Sequence, residues 1–169
     1  EREDGTVEQI GKGERLDAMM EICNQVTGQV IIWARFTQDI ENICKRLNEE
    51  RPGEGVVPYY GDVSRDQRDW GKKQFINGEA RFFVGNIGIS AGLDGLQCAG
   101  SMIFYSCDFN AIHRWQAEDR AHRFGMVGLT IFDLIARCTI DRPILRNLAG
   151  KKDLSSLTLD KIRQAIADA

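Results

Sequence analysis

Gln116, Arg120 and Arg123 fall at spacings of four and three, so on a helix they share one face. A guanidinium is planar, permanently charged and able to hold two phosphate oxygens at once, so two of them on one face make a fork suited to a polyphosphate in transition. Gln116 adds a neutral contact. The same residues also read as a solvated face on which Glu118 and Asp119 pair with neighbouring arginines, and spacing alone does not choose. A second candidate is the glycine-rich run from Gly88 to Leu96, whose backbone N–H groups and Ser90 hydroxyl could touch phosphate. Its alternative is a flexible turn.

Such segments need a scaffold, and the hydrophobic pattern supplies one. Leu16, Met19, Met20 and Cys23 repeat at helical spacing and predict an amphipathic helix ending near Thr27-Gly28. Val30 to Ala34 is an apolar run too short for a helix, followed by Thr37 as N-cap and Ile40, Ile43, Cys44 and Leu47 at helical spacing. A strand from Val56 to Tyr60 leads, through Gly61-Asp62, to a helix that Ser64 and Gln67 would open as a capping box and Asn77-Gly78 would end. Arg81 to Val84 predicts a third strand, Gly85 to Gly95 a loop with at most a short helix, and Ser101 to Tyr105 a fourth strand. Asn110 would cap a helix running through Arg123, Gly125 would end it, and Leu129 to Ile135 predicts a fifth strand before a polar helical tail. Apolar strands alternating with amphipathic helices imply a mostly parallel sheet covered on both faces, with ligands at the carboxyl ends of the strands.

Composition sets the outer bounds. The chain has 169 residues, 43% hydrophobic and 28% charged, as an ordinary soluble globular domain has. No run approaches the roughly 20 apolar residues of a membrane-spanning helix and no signal segment opens the chain, so an intracellular protein without a membrane partner is expected. The five cysteines are scattered and there are only two histidines, which suggests buried or half-buried thiols and neither a zinc site nor a disulfide framework. A net charge of −3 argues against binding nucleic acid by bulk electrostatics, although local arginines and backbone N–H groups can still hold phosphate.

The run Gln116-Ala117-Glu118-Asp119-Arg120-Ala121-His122-Arg123-Phe124-Gly125 resembles motif VI of Swi/Snf-type ATPases in helicase superfamily two. Other segments fall in the family's order. Val30 to Phe36 resembles motif IV, Tyr60-Gly61-Asp62 with Arg65 the motif after it, Val84 to Leu96 motif V, and Thr139-Ile140-Asp141 the stretch after the last strand. The resemblance covers about Lys12 to Arg146 and implies an α/β fold: a RecA-like three-layer α/β/α lobe with a mostly parallel central sheet and a helical C-terminal tail. Residues 1–13 would be a linker or truncated remnant, 14–150 the helicase C-terminal (second RecA-like) domain, and 151–169 a helical extension.

By this resemblance Arg120 and Arg123 are arginine fingers reaching ATP across a cleft, with Gln116 beside them. Gly92 and Asp94 lie near the ribose, Asn86 and Ser90 lie on the DNA side, and Arg35, Phe36 and the Gly61 turn contact one DNA backbone. Core packing is the equal alternative for Phe36. Trp115 is expected to pack against the sheet rather than stack on a base, His122 to organise its helix, and His113 to be exposed. Departures are Phe109 for the usual Trp, Ala111 for Pro, Met126 for Gln, and an extra glycine, Gly95, in motif V.

No G-x-x-x-x-G-K-[ST] loop or acidic magnesium motif occurs in the chain, and Gly11-Lys12-Gly13 cannot substitute. ATP with Mg2+ would therefore be held mainly by an N-terminal RecA-like lobe of the parent protein, and the lobe alone would be inactive. DNA, double-stranded, is the expected further partner. The compact spacing of motifs V and VI favours a bacterial or phage source and host cytoplasm, with the nucleus as the alternative for a eukaryote. Two rivals remain: a silent helicase-like lobe that only binds nucleic acid or protein, and a free-standing α/β enzyme holding a nucleotide cofactor at Gly85 to Gly95. The second lacks a G-x-G-x-x-G after its first strand.

Overall fold

The computed structural model describes residues 12–89, 93–106, 111–121 and 128–135, with side chains at all of these except 12, 111, 112, 119 and 120. Five strands, β1 (Val30–Ala34), β2 (Val56–Tyr59), β3 (Phe82–Asn86), β4 (Ser101–Phe104) and β5 (Thr130–Asp133), form one sheet in the order β2-β3-β1-β4-β5. Every pairing is parallel, with Ala34 opposite Asn86 and Phe104 opposite Asp133 at the carboxyl ends. The helices are α1 (Lys12–Gln25), α2 (Thr37–Glu50), α3 (Arg65–Ile76) and α4 (Ala111–Ala121).

The alternation of β1 divides the core. Ile31 and Trp33 point into a cluster with Phe75 of α3 and Ala117 and Ala121 of α4. Val30, Ile32 and Ala34 point the other way, into a cluster with Met19, Met20 and Cys23 of α1 and Ile40, Ile43 and Leu47 of α2. This makes three layers, α1 and α2 over one face and α3 and α4 over the other. Chain direction explains the division. From β1 the chain moves outward past β3 to β2, and every later connection moves back the other way. Right-handed crossovers running in opposite directions must take opposite faces.

Local chemistry agrees with most of the expected boundaries. Ser64 caps α3 by accepting from the Gln67 N–H at 3.3 Å, while its hydroxyl donates to Gln67 Oε1 at 3.0 Å. The capping box is thus half made, because the glutamine side chain meets the serine hydroxyl. Asn77 closes α3 and Gly78 follows at φ +78°. Thr37 is not the cap of α2. Extended Phe36 stands there, without a side-chain cap, and its carbonyl accepts from Asp39 and Ile40 N–H at 3.1 and 3.2 Å. The third strand starts after Arg81, whose N–H turns to Glu54 O at 2.7 Å, and runs on to Asn86.

Cys23 is buried and Cys44 half-buried, and burial pushes their thiols up to about 11 and about 12. Cys98 is exposed, contrary to expectation, because the short turn Leu96–Cys98 buries Leu96 and turns the cysteine outward. No helix among the described residues is long and apolar enough to cross a membrane. Residues 1–11 of the expected linker, the Asn110 cap, Gly125, Cys107, Cys138, Thr139-Ile140-Asp141 and the helical tail lie outside the described residues, while Lys12 and Gly13 already belong to α1.

Candidate functional site

At β1 the outgoing connection takes one face of the sheet while those of its neighbours β3 and β4 take the other, which makes its carboxyl end the topological switch point where parallel sheets generally receive ligands. Arg35, the first residue past β1, is held there from both sides. Its N–H donates to Ser106 Oγ at 2.8 Å, and its carbonyl accepts from Asn86 Nδ2 at 2.8 Å. Asn86 Oδ1 accepts from the Gly88 N–H at 2.8 Å, so one amide braces β1 and shapes the turn after β3. The Arg35 guanidinium lies 5.4 Å from the centroid of the Phe36 ring. Phe36 remains 58% exposed, which removes core packing as its role. It belongs to neither core cluster.

After Asn86 the chain makes one 3-10 turn, Ile87–Ile89, and a second at Leu96–Cys98. Ile87, Leu93 and Leu96 enter the same core cluster as Ala117 and Ala121, so α4 packs directly on the segment that resembles motif V. The backbone at Gly95, read from the sequence as an extra glycine, calls for that residue type. Gly95 sits at φ +92°, and a Cβ there would stand 2.6 Å from Ile76 Cδ1. Gly85 lies against Trp33, where a Cβ would approach Cζ3 to 2.7 Å.

On α4, Gln116 is half-buried and shares its helix face with position 120. Trp115 does not pack into the sheet as expected. It is 37% exposed and belongs to neither core cluster, since the buried stripe of α4 is taken by Ala117 and Ala121. Glu118 takes the ion-pair role, accepting from Arg114 Nε at 2.7 Å. Arg114 also reaches β5, where Asp133 accepts from Nη1 and, at 3.0 Å, from Nη2. Its Cζ lies 4.0 Å over the Phe104 ring. Burial opposes the guanidinium's charge, but the bonds to Asp133 and Glu118 outweigh it and raise Arg114 above its ordinary pKa.

The structure therefore brings Arg35, Phe36 and Asn86 together at one end of β1. Gly61 follows β2 on the same edge of the sheet, exposed, with β3 between it and β1. Asp94 is exposed just before Gly95, His113 is half-buried rather than exposed, and Arg65 is exposed 3.9 Å from Asp69. Ser90, Gly92, His122, Arg123 and Met126 and the side chain of Arg120 lie outside the described residues. Ser106, Arg114 and Asp133 are the residues that sequence reading missed. Ser106 meets Arg35 from 71 positions away and Asp133 meets Arg114 from 19, and only the Arg114–Glu118 pair, four residues apart, has a local pattern to signal it.

A family model described as the helicase conserved C-terminal domain matches residues 11–125, which is most of the chain. The chain belongs to that family. Its relatives include the chromatin-remodelling ATPase INO80 of Cryptococcus neoformans, 40% identical over 77 residues, or 45% of this chain and 4% of that protein. The probable ATP-dependent DNA helicase CHR12 of Arabidopsis thaliana is 27% identical over 86% of this chain and 13% of its own length. The putative ATP-dependent helicase/translocase YwqA of Bacillus subtilis is 29% identical over 91% and 17%. These are relatives of the Swi/Snf type. The helicase C-terminal domain thus spans a small part of the curated relatives it matches. Among solved structures, the C-terminal part of the Fun30 ATPase domain superposes with a TM-score of 0.74 at 21% identity, covering 98% of this chain and 58% of that one. The C-terminal domain of the DEAD-box protein Dbp5 gives 0.70 at 15% identity, covering 94% and 92%. The fold is accordingly the RecA-like helicase C-terminal lobe. Chromatin remodellers of eukaryotes stand among the relatives, and the bacterial or phage source expected from compact motif spacing gains no support from them.

Proposed function

We propose that this domain is the second motor lobe of an ATP-dependent DNA translocase, contributing arginine fingers to a composite ATPase site and backbone contacts to DNA. The observation that carries the reading is the packing of α4, with its motif VI sequence, on the motif V turns beside the braced end of β1. Arg120, Arg123 and Gln116 are hydrogen-bond donors suited to a polyphosphate, while the carboxylate of Asp94, two positions after Gly92 in the sequence, suits the hydroxyls of a ribose. ATP with Mg2+, when bound, supplies the phosphoryl group, and an N-terminal lobe of the parent holds both. In this lobe Arg120 and Arg123 would stabilise charge that develops on the transferring group, an effect on the order of 10³ to 10⁵ in rate for such fingers.

Arg35, Phe36, Gly61, Asn86 and Ser90 would hold one strand of duplex DNA by its backbone. Contacts of that kind fix register without reading sequence, as a motor that steps along any DNA requires. Closure of the lobes around the nucleotide and their separation afterwards would advance this grip. A eukaryotic parent would act in the nucleus. The test is DNA-stimulated ATP hydrolysis by the parent protein with both lobes present. Arg120→Ala and Arg123→Ala should each stop turnover while nucleotide still binds, and the lone lobe should be inert. Full activity in both variants would leave a silent binding module as the better reading.

A further inference from the structure

We propose that Arg114 is a positioning residue that sets the roll of α4 and so aims its motif VI face at the nucleotide. The inference rests on the motor-lobe reading and adds to it a residue that the motif does not contain. At about 100° per residue, Gln116 and position 120 lie on one side of the buried stripe of Ala117 and Ala121, and Arg114 and Glu118 lie on the other. Alanines let the helix approach the core closely, but their short side chains resist rotation about the helix axis weakly. Directional bonds on one flank supply what they lack.

Arg114 makes those bonds. Its two terminal nitrogens both donate to Asp133 at the carboxyl end of β5, its Nε donates to Glu118, and its guanidinium lies over the ring of Phe104, the residue paired with Asp133. The side chain is 13% exposed, so the fork is largely shielded from water. A planar fork of this kind fixes angle as well as distance. A roll of the helix that moved the opposite flank by an ångström would bend and lengthen these bonds, and misplacement by that distance can lower a rate on the order of 10²-fold.

The experiment measures DNA-stimulated ATP turnover and thermal unfolding of the parent protein carrying Arg114→Gln, Arg114→Lys or Asp133→Asn, with Arg120→Ala alongside. Arg114→Gln should lower kcat at least about tenfold with KM for ATP held within about threefold, the pattern of lost transition-state alignment. Arg114→Lys, which keeps the charge but cannot fork, and the milder Asp133→Asn should fall between it and wild type, in an order the unfolding temperatures do not follow. Unchanged kcat in Arg114→Gln, or kcat losses that simply track unfolding temperature across the three variants, would overturn the proposal. Turnover that survives Arg120→Ala would instead remove the motor-lobe reading itself, whatever the Arg114 variants do.

Discussion

Arg81 and Arg35, at opposite ends of the sheet, are used in opposite ways. At the amino ends, Arg81 is turned inward: Nε donates to Gly28 O at 3.1 Å, Nη2 to Cys23 O and Val26 O at 3.1 and 2.7 Å, and Nη1 to Glu54 at 2.6 Å. It thereby sets a positive charge on the Cys23 carbonyl in the last turn of α1 and on the Val26 and Gly28 carbonyls just past it, where the helix dipole favours one, and ties that helix to β3. At the carboxyl ends it is the backbone of Arg35 that is fixed, by Ser106 and Asn86, while its guanidinium rests over an exposed ring. One end is tied shut by side chains meeting main chain. The carboxyl end of β1 has its main chain braced and presents Phe36 at the surface, where a parallel sheet receives ligands, while Arg114 ties the β5 edge beside it.

The sharpest way to break this comparison is to cross it. Arg120→Ala should reduce DNA-stimulated turnover of the parent on the order of 10³-fold or more, with little change in unfolding temperature. Arg81→Ala should do the reverse. Removing a charged donor from three main-chain carbonyls and Glu54 should destabilise the lobe by about 3 kcal/mol in denaturant unfolding, with kcat per folded molecule unchanged. If Arg81→Ala slowed turnover at full stability, the amino end would not be merely structural. Asn86→Ala lies between these cases, since Asn86 belongs to the brace and to the proposed DNA face. It should lower stability by about 1 to 2 kcal/mol through the part-buried Arg35 carbonyl that loses its donor and the Gly88 turn that loses its brace, and should weaken DNA binding by the parent more than ATP binding.

What could be read in the sequence was whatever local chemistry dictates. Val30 to Ala34 is apolar at every position and is buried at every position, so its strand was plain. Ile40, Ile43 and Leu47 recur at helical spacing and are buried together. Motif VI was legible because ten neighbouring residues carry it, and its helix stands where the alternation of elements required. What escaped depends on residues distant in the chain. Phe36 and Trp115 have the composition of core residues, and only the packing of their neighbours shows that the core is already filled without them. Ser106 and Asp133 look like ordinary strand-end polar residues until Arg35 and Arg114 arrive from other elements. Thr37 missed the cap position because an extended Phe36 supplies the first helical carbonyl by its backbone alone.

The smallest effect separates the two ends by pH. The Glu54 carboxyl is held below its usual range: partial burial pushes it up, but the hydrogen bonds from Arg81 and Arg51 favour the carboxylate and prevail. Because the folded state lowers this pKa, the stabilisation is complete above the unfolded value, about 4.3 for a glutamate, and fades as pH falls through the lower folded value. Wild type should therefore lose stability on acidification below about pH 4.3 more steeply than Glu54→Gln, and the two curves should run parallel from about pH 6 upward. Parallel curves through the acid range as well would mean that Arg81 holds the amino end through the carbonyls of α1 alone, with Glu54 a bystander. A steeper wild-type curve would make the carboxylate a working part of the clasp, and the contrast with the braced but exposed carboxyl end would then rest on charge as well as on geometry.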